Sequence, residues 1–275
     1  MFALGILTLT IIVLIMLHKG MISSWNIFTS LNCSALDCDF NDVSQWRVPR
    51  TIHRTWRDAN LPPKFRAAWE HTARHNPGFE QVLHTDAEAD AFMRQHCSPR
   101  EYRAYQRINP LYGAARADLF RYVLLYNVGG VYLDAKSAAN SLCSLVRKED
   151  GFLLSPWSWM PHFLAFKNSF GEFQQWHIVC APRHPFLQRV IDHVVHNIES
   201  YSAQEYPPSK HSVLRLTGPI AYTHAILQAI NEGVTDYRTV CNDANKVFVY
   251  DLNGGHTRMP GLTHYSRLTA PLVLP

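Results

Sequence analysis

A pair of glycines, Gly129 and Gly130, joins a helical pattern directly to a strand pattern. In residues 112–127 the apolar side chains recur at positions 119, 122, 123 and 126, the spacing of a helix with one buried face. Residues 131–135 then form a short apolar run that contains one acid, Asp134. A helix followed so closely by a buried strand indicates an α/β architecture, in which helices pack on a sheet.

Strand-like and helix-like segments alternate along the rest of the chain. The further segments that predict strands are 51–56, 80–84, 151–154, 162–166, 175–180 and 246–250. The further segments that predict helices are 63–75, 185–199, the residues from Thr217 onward, and two starts at the capping boxes Thr85–Glu88 and Ser98–Glu101. This alternation favours a mostly parallel sheet in one domain.

Composition excludes several classes of protein. The 275 residues are 47% hydrophobic and 17% charged, which is typical of a globular chain. The net charge of +4 suits a small anionic ligand. No run of lysine and arginine forms a nucleic-acid-binding face, so we expect no nucleic-acid partner.

Residues 2–17 are apolar and uncharged. As a helix they would rise about 24 Å, slightly less than a ~30 Å hydrocarbon core. A cleaved signal peptide and a buried core helix are the alternatives, but the run has no positive residue before it and a polar stretch follows it. We therefore expect a transmembrane signal anchor at residues 1–18, a stem at 19–46 and the folded domain at 47–275.

The cysteines form no CxxC pair, which argues against a zinc site. They are Cys33, Cys38, Cys97, Cys143, Cys180 and Cys241. Cys33 and Cys38 are close enough in sequence to close a small disulfide loop in the stem. Cys143, Cys180 and Cys241 are either further disulfide partners or buried thiols.

Three charged residues of the central segment have the chemistry of a ligand site. Asp118 and Arg121 lie three positions apart, on one side of the predicted helix. Asp134 ends the following strand, and open α/β sheets bind ligands beyond the carboxyl ends of their strands. The alternative is that Asp118 and Arg121 form a solvated ion pair and that Asp134 only forms a turn.

Residues 114–136 resemble the sugar-binding region of glycosyltransferases that contain a D-x-D motif. This group includes yeast Golgi mannosyltransferases, the glucosylating domains of large clostridial toxins, and α-1,4-galactosyl- and N-acetylglucosaminyltransferases. Their shared pattern, A-x-x-S/A-D-x-x-R-Y…L-Y-x-x-G-G-x-Y-x-D-x-D, matches at most positions. Further family landmarks occur in the expected order at residues 48–56, 75–84, 181–186 and 217–219.

The resemblance implies a GT-A-type, Rossmann-like catalytic domain behind a transmembrane helix. It implies transfer from a UDP- or GDP-sugar to a glycan or glycolipid acceptor, with retention of anomeric configuration. The location implied is the Golgi or endoplasmic reticulum membrane, as a single-pass type II protein with a lumenal domain. The alternative function is a non-catalytic nucleotide-sugar or glycan-binding pseudoenzyme on the same fold.

The resemblance also implies which residues bind the donor. The donor-binding set is Trp56, His53, Asp118, Arg121, Gly130, Tyr132 and Asp134. Trp56 would stack on the nucleotide base, unless it is an ordinary core aromatic. His53 would serve the diphosphate or fill space. Arg121, Asp134 and Lys136 are the expected catalytic residues.

Lys136 departs from the family pattern, because it stands where the second acid of D-x-D is expected. Residues i and i+2 of a strand share a face, so its ammonium would point toward the place of the missing carboxylate. One hypothesis is that Mn²⁺ or Mg²⁺ binds through Asp134, the donor diphosphate and His264, with His256 as the alternative histidine. The other hypothesis is that Lys136 itself binds the diphosphate.

Overall fold

The computed structural model describes residues 46–157, 171–240, 247–253 and 265–275. The apolar run at 2–17, the strand predicted at 162–166, and both His256 and His264 lie outside these ranges. Within the described residues, no helix combines the length and the apolar character that crossing a bilayer requires.

The described helices surround one central sheet. They are α1 (Pro63–His75), α2 (Asp86–His96), α3 (Pro99–Arg107), α4 (Gly113–Val128), α5 (Pro185–Glu199), α6 (Lys210–Leu216) and α7 (Pro219–Asn231). The strands are β1 (Thr51–Thr55), β2 (Glu80–His84), β3 (Gly130–Leu133), β4 (Ala138–Ala139), β5 (Phe152–Leu154), β6 (His177–Cys180), β7 (Arg238–Thr239) and β8 (Phe248–Val249).

The main sheet has the strand order β2-β1-β3-β6-β5-β7. Strand β1 pairs in parallel with β2 and β3, and β5 pairs in parallel with β7. Strand β6 runs antiparallel to both β3 and β5, so the sheet is mixed. Because β1, β2 and β3 are parallel, their carboxyl ends lie at one edge, and this edge is the predicted place for a ligand.

Each face of the sheet has its own hydrophobic core. One face, with Tyr132 and Ile178, packs against α4, α5 and α7. The other face, with Ile52 and Leu133, packs against the small two-stranded sheet β4–β8. Strand β3 is buried on both sides, which explains its continuous apolar sequence.

Local sequence signals set the helix boundaries. Both predicted capping boxes form: Thr85 caps α2 with Glu88, and Ser98 caps α3 with Glu101. Helix α4 ends at Gly129, which has a positive φ of 66°. Gly130 follows with φ 99°, and a Cβ there would lie 2.6 Å from the Thr51 carbonyl oxygen. Only glycine permits both the turn and this close approach of β1.

The predicted helices at 63–75 and 185–199 and the strand at 80–84 are confirmed at those bounds. The antiparallel direction of β6 and the short elements β4, α6 and β7 were not predicted. Strands β4 and β7 have only two residues each, too few to show a periodicity. Cys180 is a free buried thiol, as one alternative proposed. Cys143 is disulfide-bonded, as the other alternative proposed.

Candidate functional site

Asp134 lies immediately beyond the carboxyl end of β3. Its backbone N–H donates to the Trp176 carbonyl at 2.8 Å, which fixes the chain as it leaves the strand. Its carboxylate is 28% exposed, and Oδ1 lies 3.1 Å from Nη1 of Arg121. The acid is therefore held in one orientation while part of its surface still faces solvent.

Arg121 links the two predicted acids from helix α4. Its Nη2 lies 3.1 Å from Oδ1 of Asp118, opposite the contact to Asp134. The guanidinium also stacks over the Tyr132 ring, at 4.4 Å from the centroid. Burial alone would lower the pKa of Arg121, but Tyr132, Asp134 and Asp118 raise it above the usual value. The side chain is therefore a permanent cation.

Asp118 is buried, and the chain occupies both of its oxygens. Oδ1 accepts from the Gln175 amide at 3.1 Å, and Oδ2 accepts from the Thr217 hydroxyl at 2.9 Å. Burial raises the pKa of this carboxyl, and Arg121 opposes that rise. The pair with Arg121 is thus a buried ion pair, in contrast to the solvated pair considered as an alternative. Asp118 orients the guanidinium that faces Asp134.

Lys136 lies on an aromatic surface. Its Nζ is 3.9 Å from the centroid of the Tyr250 ring, a cation–π contact. Trp157 and Trp176 approach the same tyrosine edge-on, at centroid distances of 5.9 and 5.2 Å. The residue that replaces the second acid therefore contacts Tyr250, and two tryptophans pack against that tyrosine.

His53 lies in the interior of the sheet, in register with Tyr132 of β3. Its Nδ1 is 3.1 Å from Nε2 of His84, and the ring packs below Gly130. Burial, with a smaller contribution from His84, lowers the pKa of His53 to about 4. A neutral ring in the interior of the sheet favours the interpretation that His53 fills space over the interpretation that it binds the diphosphate. Gly130 also lies in the interior, at the opposite end of β3 from Asp134.

Trp56 follows β1 at the same edge as Asp134. Its backbone N–H donates to the His84 carbonyl at 3.0 Å, and its ring meets Phe65 edge-on at 4.9 Å. The indole Nε1 is buried and has no hydrogen-bond partner among the residues that the structure describes. One side of this tryptophan is therefore part of the core, and the residue is partly exposed.

Sequence reasoning did not assign roles to Gln175, Tyr250 or Arg54. The side-chain amide of Gln175 donates to Asp118, and the main-chain carbonyl of Gln175 accepts from Nη1 of Arg121 at 3.0 Å. Neither Gln175 nor Tyr250 has a local signal, because each reaches the site across a long sequence separation. Arg54 belongs to the recognised 48–56 segment, but nothing in that segment indicates what its side chain contacts.

The side chains described here do not fit a divalent cation held by two acids. Asp134 shares its carboxylate with Arg121, and Lys136 places an ammonium near the second position. Across the described residues, no group of three or more His, Cys, Asp or Glu side chains is arranged to hold a metal. His264 and His256, the predicted additional ligands, lie outside the described ranges.

The central segment matches a known protein family. Residues 62–139 match the family described as glycosyltransferase sugar-binding region containing DXD motif, which confirms the resemblance drawn from the sequence. The matched region includes Asp118, Arg121 and Asp134.

Curated relatives agree with this match. The chain is 25% identical over 182 residues to inositol phosphoceramide mannosyltransferase 1 of Schizosaccharomyces pombe, covering 63% of this chain and 50% of that protein. It is 29% identical over 176 residues to inositol phosphoceramide mannosyltransferase 3 of the same yeast, covering 63% and 43%. The chain thus spans about half the length of the curated relatives it matches.

A solved structure supports the fold. The PaToxG glycosyltransferase has a TM-score of 0.53 to this chain at 18% identity, and the match covers 78% of each chain. At this identity the likeness concerns the fold, and it agrees with the GT-A-type α/β architecture expected from the sequence.

Proposed function

Because residues 62–139 match a glycosyltransferase sugar-binding region, we propose that this protein transfers a sugar from a UDP- or GDP-sugar to a glycan or glycolipid acceptor. The observation that carries the proposal is the pairing of Asp134 with Arg121 at the carboxyl edge of parallel strands, within the matched region. That edge is where open α/β sheets bind their ligands.

The proposed reaction exchanges one bond at the anomeric carbon for another. The bond to the donor diphosphate breaks, a bond to an acceptor hydroxyl oxygen forms, and the diphosphate departs with the bonding electrons. The main task of the protein is to stabilise the negative charge that develops on the leaving diphosphate. In a retaining reaction of this kind the departing phosphate accepts the acceptor proton, so no separate general base is required.

Each residue of the site has a role in this proposal. Asp134 binds hydroxyl groups of the donor through its exposed carboxylate surface. Arg121 keeps that carboxylate ionised and oriented, and Asp118 orients Arg121. Lys136 leaves the Tyr250 ring and pairs with the diphosphate, since a cation–π contact is worth only about 0.5–1 kcal/mol at an exposed site. Trp56 stacks on the nucleotide base with its exposed side.

The activities of the relatives guide the choice of substrates. The matched proteins of S. pombe are inositol phosphoceramide mannosyltransferases, which supports mannose as the sugar and an inositol-phosphate lipid as the acceptor. The matched region spans about half of those proteins, so lipid and oligosaccharide acceptors are compared directly in the experiment below.

We also propose a membrane-bound location in the secretory pathway. Residues 2–17 would anchor the chain as a type II protein, with 19–46 as the stem and 47–275 in the lumen of the Golgi or endoplasmic reticulum. The disulfide at Cys143 supports this location, because disulfides persist in oxidising compartments. No step of the proposed reaction runs through a metal ion, since the described side chains do not fit a divalent cation held by two acids.

The test is turnover by the full-length chain in detergent. UDP- and GDP-sugars, with GDP-mannose first, are incubated with inositol-phosphate lipid and with oligosaccharide acceptors, and the product is measured by mass spectrometry. Asp134→Ala should abolish product while the protein remains folded. Tight binding of nucleoside diphosphate without product from any donor would identify the pseudoenzyme instead.

A further inference from the structure

Arg54 is a fully buried cation beneath the loop that carries Asp134 and Lys136. It lies on β1, and its side chain emerges on the sheet face opposite to His53 and Thr55, since alternate residues of a strand point in opposite directions. Its relative exposure is 0%. A buried arginine is uncommon, and its surroundings therefore require an explanation.

The guanidinium binds main-chain carbonyls. Nη1 donates to the Ser137 carbonyl at 2.6 Å and to the Asp134 carbonyl at 3.0 Å, and it lies 3.5 Å from the Ala135 carbonyl. Nη2 donates to the Thr72 hydroxyl on α1 at 2.9 Å. The Arg54 side chain thus binds main-chain carbonyls on both sides of Lys136.

No carboxylate of the described residues forms an ion pair with Arg54, and its Nε has no hydrogen-bond partner. Burial lowers the pKa of the guanidinium to about 10, so the group still carries its charge at neutral pH. An arginine that served only the stability of the core would be costly in this setting, because its charge is desolvated and none of the described carboxylates contacts it directly. The Asp134 carboxylate favours the charged form from a greater distance. The main-chain carbonyls of the loop add direct hydrogen bonds to this stabilisation.

Asp134 is consequently held from both faces of the sheet. Arg121 binds its carboxylate from the α4 side, and Arg54 binds its carbonyl from the opposite side. The Thr72 hydroxyl, which accepts from Arg54, also accepts from the Ala139 N–H at 3.1 Å, just after the loop. The loop from Asp134 to Ser137 is thereby attached to β1 and to α1.

We infer that Arg54 is a positioning residue for sugar transfer, which sets the loop so that Asp134 and Lys136 face the donor. This inference rests on the proposed function, because it concerns the same site. The planar guanidinium presents its donors in a fixed fork, and a lysine at this position would supply a point charge without that geometry. Arg54 itself does not touch the donor.

The experiment compares Arg54→Gln and Arg54→Lys with the wild-type chain in the transfer assay. Rates are expressed per folded protein, measured by circular dichroism well below the melting temperature. If the loop shifts, Asp134 is misplaced and stabilises the transition state less well. The kcat of Arg54→Gln should therefore fall about a hundredfold. The donor KM should change less than about threefold, because the variant keeps the contacts that bind ground state and transition state equally. Arg54→Lys should keep the fold and recover only part of kcat.

The matched control is Arg238→Gln. Arg238 also binds a main-chain carbonyl, that of Leu145 at 2.7 Å, and pairs with Asp150, but it lies on the edge strand β7. The Arg238→Gln substitution should lower the melting temperature and leave kcat per folded protein unchanged.

The outcomes separate the inference from the proposed function. A wild-type chain that transfers no sugar contradicts the proposed function. An active wild type whose folded Arg54→Lys and Arg54→Gln variants both retain full kcat overturns the inference alone. Should Arg54→Gln fail to fold, Arg54→Lys decides: full kcat at full folding overturns the positioning role, and a reduced kcat with unchanged KM supports it.

Discussion

The Nη1 atom of Arg121 lies 3.1 Å from the Oδ1 atom of Asp134, and this contact joins helix α4 to the carboxyl end of β3. Helix and strand are separated in sequence only by the Gly129-Gly130 turn, so the contact closes a short loop of chain. The residues that hold the site together are therefore largely contributed by one continuous segment.

The first prediction concerns this contact. Asp134→Ala and Arg121→Ala should each abolish transfer and lower nucleotide-sugar affinity at least tenfold, because a hydrogen bond to a charged group is worth roughly 1.5–3 kcal/mol. Calorimetric titration with UDP- and GDP-sugars measures the affinity. Arg189→Ala is the control, since Arg189 forms an exposed ion pair with Glu232 on the surface of α5. Unchanged affinity in both site variants would place the donor elsewhere.

The second prediction concerns Asp118. Asp118→Ala should destabilise the fold by about 3–5 kcal/mol, because it leaves the buried Arg121 guanidinium without one of its carboxylates. Urea unfolding measures this free energy. Asp118→Asn should cost less, since an amide oxygen can still accept from Thr217. The control Asp90→Ala removes partly exposed pairs with Arg94 and Arg116 and should cost much less, because exposed ion pairs are screened by solvent. Equal costs for the two alanine variants would contradict the buried role.

The third prediction uses Lys136. Lys136→Asp recreates the second acid of the motif and removes the ammonium, a change of two charge units beside Asp134. Each unit is worth about 4 kcal/mol per unit of partner charge at 4 Å and an effective dielectric of 20. Mn²⁺ affinity in the presence of UDP or GDP should therefore rise at least tenfold in this variant. Lys64→Asp changes the net charge equally on an exposed position and should have no such effect. Titration followed by intrinsic tryptophan fluorescence measures both.

The fourth prediction is a pH dependence of stability. His53 has a folded-state pKa of about 4, whereas an unfolded histidine titrates near 6.5. Between these values the unfolded chain binds the proton and the folded chain does not. The stability from this group is therefore complete above pH 6.5 and is lost as the pH falls toward 4, by up to about 3 kcal/mol.

Urea unfolding of wild type and His53→Gln from pH 4.5 to 7.5 measures this dependence. The variant should show a smaller loss of stability across the window than the wild type. His177, whose pKa burial lowers to about 3, contributes a similar slope in both proteins and does not affect the comparison. Parallel pH curves would show that His53 is not the group responsible.

The fifth prediction concerns membrane topology. If residues 2–17 anchor the chain with the domain in the lumen, protease added to sealed microsomes should leave residues 47–275 intact. The same protease with detergent should digest them. Digestion in sealed vesicles would contradict the lumenal placement, and release of the domain by alkaline carbonate would contradict the anchor.

Those parts of the fold that depend on neighbouring residues could be predicted from the sequence. The capping boxes at Thr85 and Ser98 form because Glu88 and Glu101 are within the same helical turn. The turn at Gly129 is equally local, since only glycine adopts its backbone conformation freely.

The remaining features depend on partners distant in sequence. The antiparallel direction of β6 is decided by its pairing with β3, in which Leu133 lies opposite His177 and Gly130 opposite Cys180. These partners are far apart in the sequence. The hydrogen bonds of Asp118 to Gln175 and Thr217 span 57 and 99 residues. Sequence spacing brought Asp118 and Arg121 together on one helix, but it gave no indication that the pair is buried.

The double attachment of Asp134 has a consequence for the entropy of ligand binding. A free surface aspartate would lose rotamer freedom when it engages a sugar, and ordering a side chain at an interface costs about 0.5–1.5 kcal/mol. Arg121 and Arg54 already restrict this residue at its carboxylate and its carbonyl. That ordering cost is met during folding, so a ligand reaching the carboxylate encounters a group that has almost no freedom left to lose.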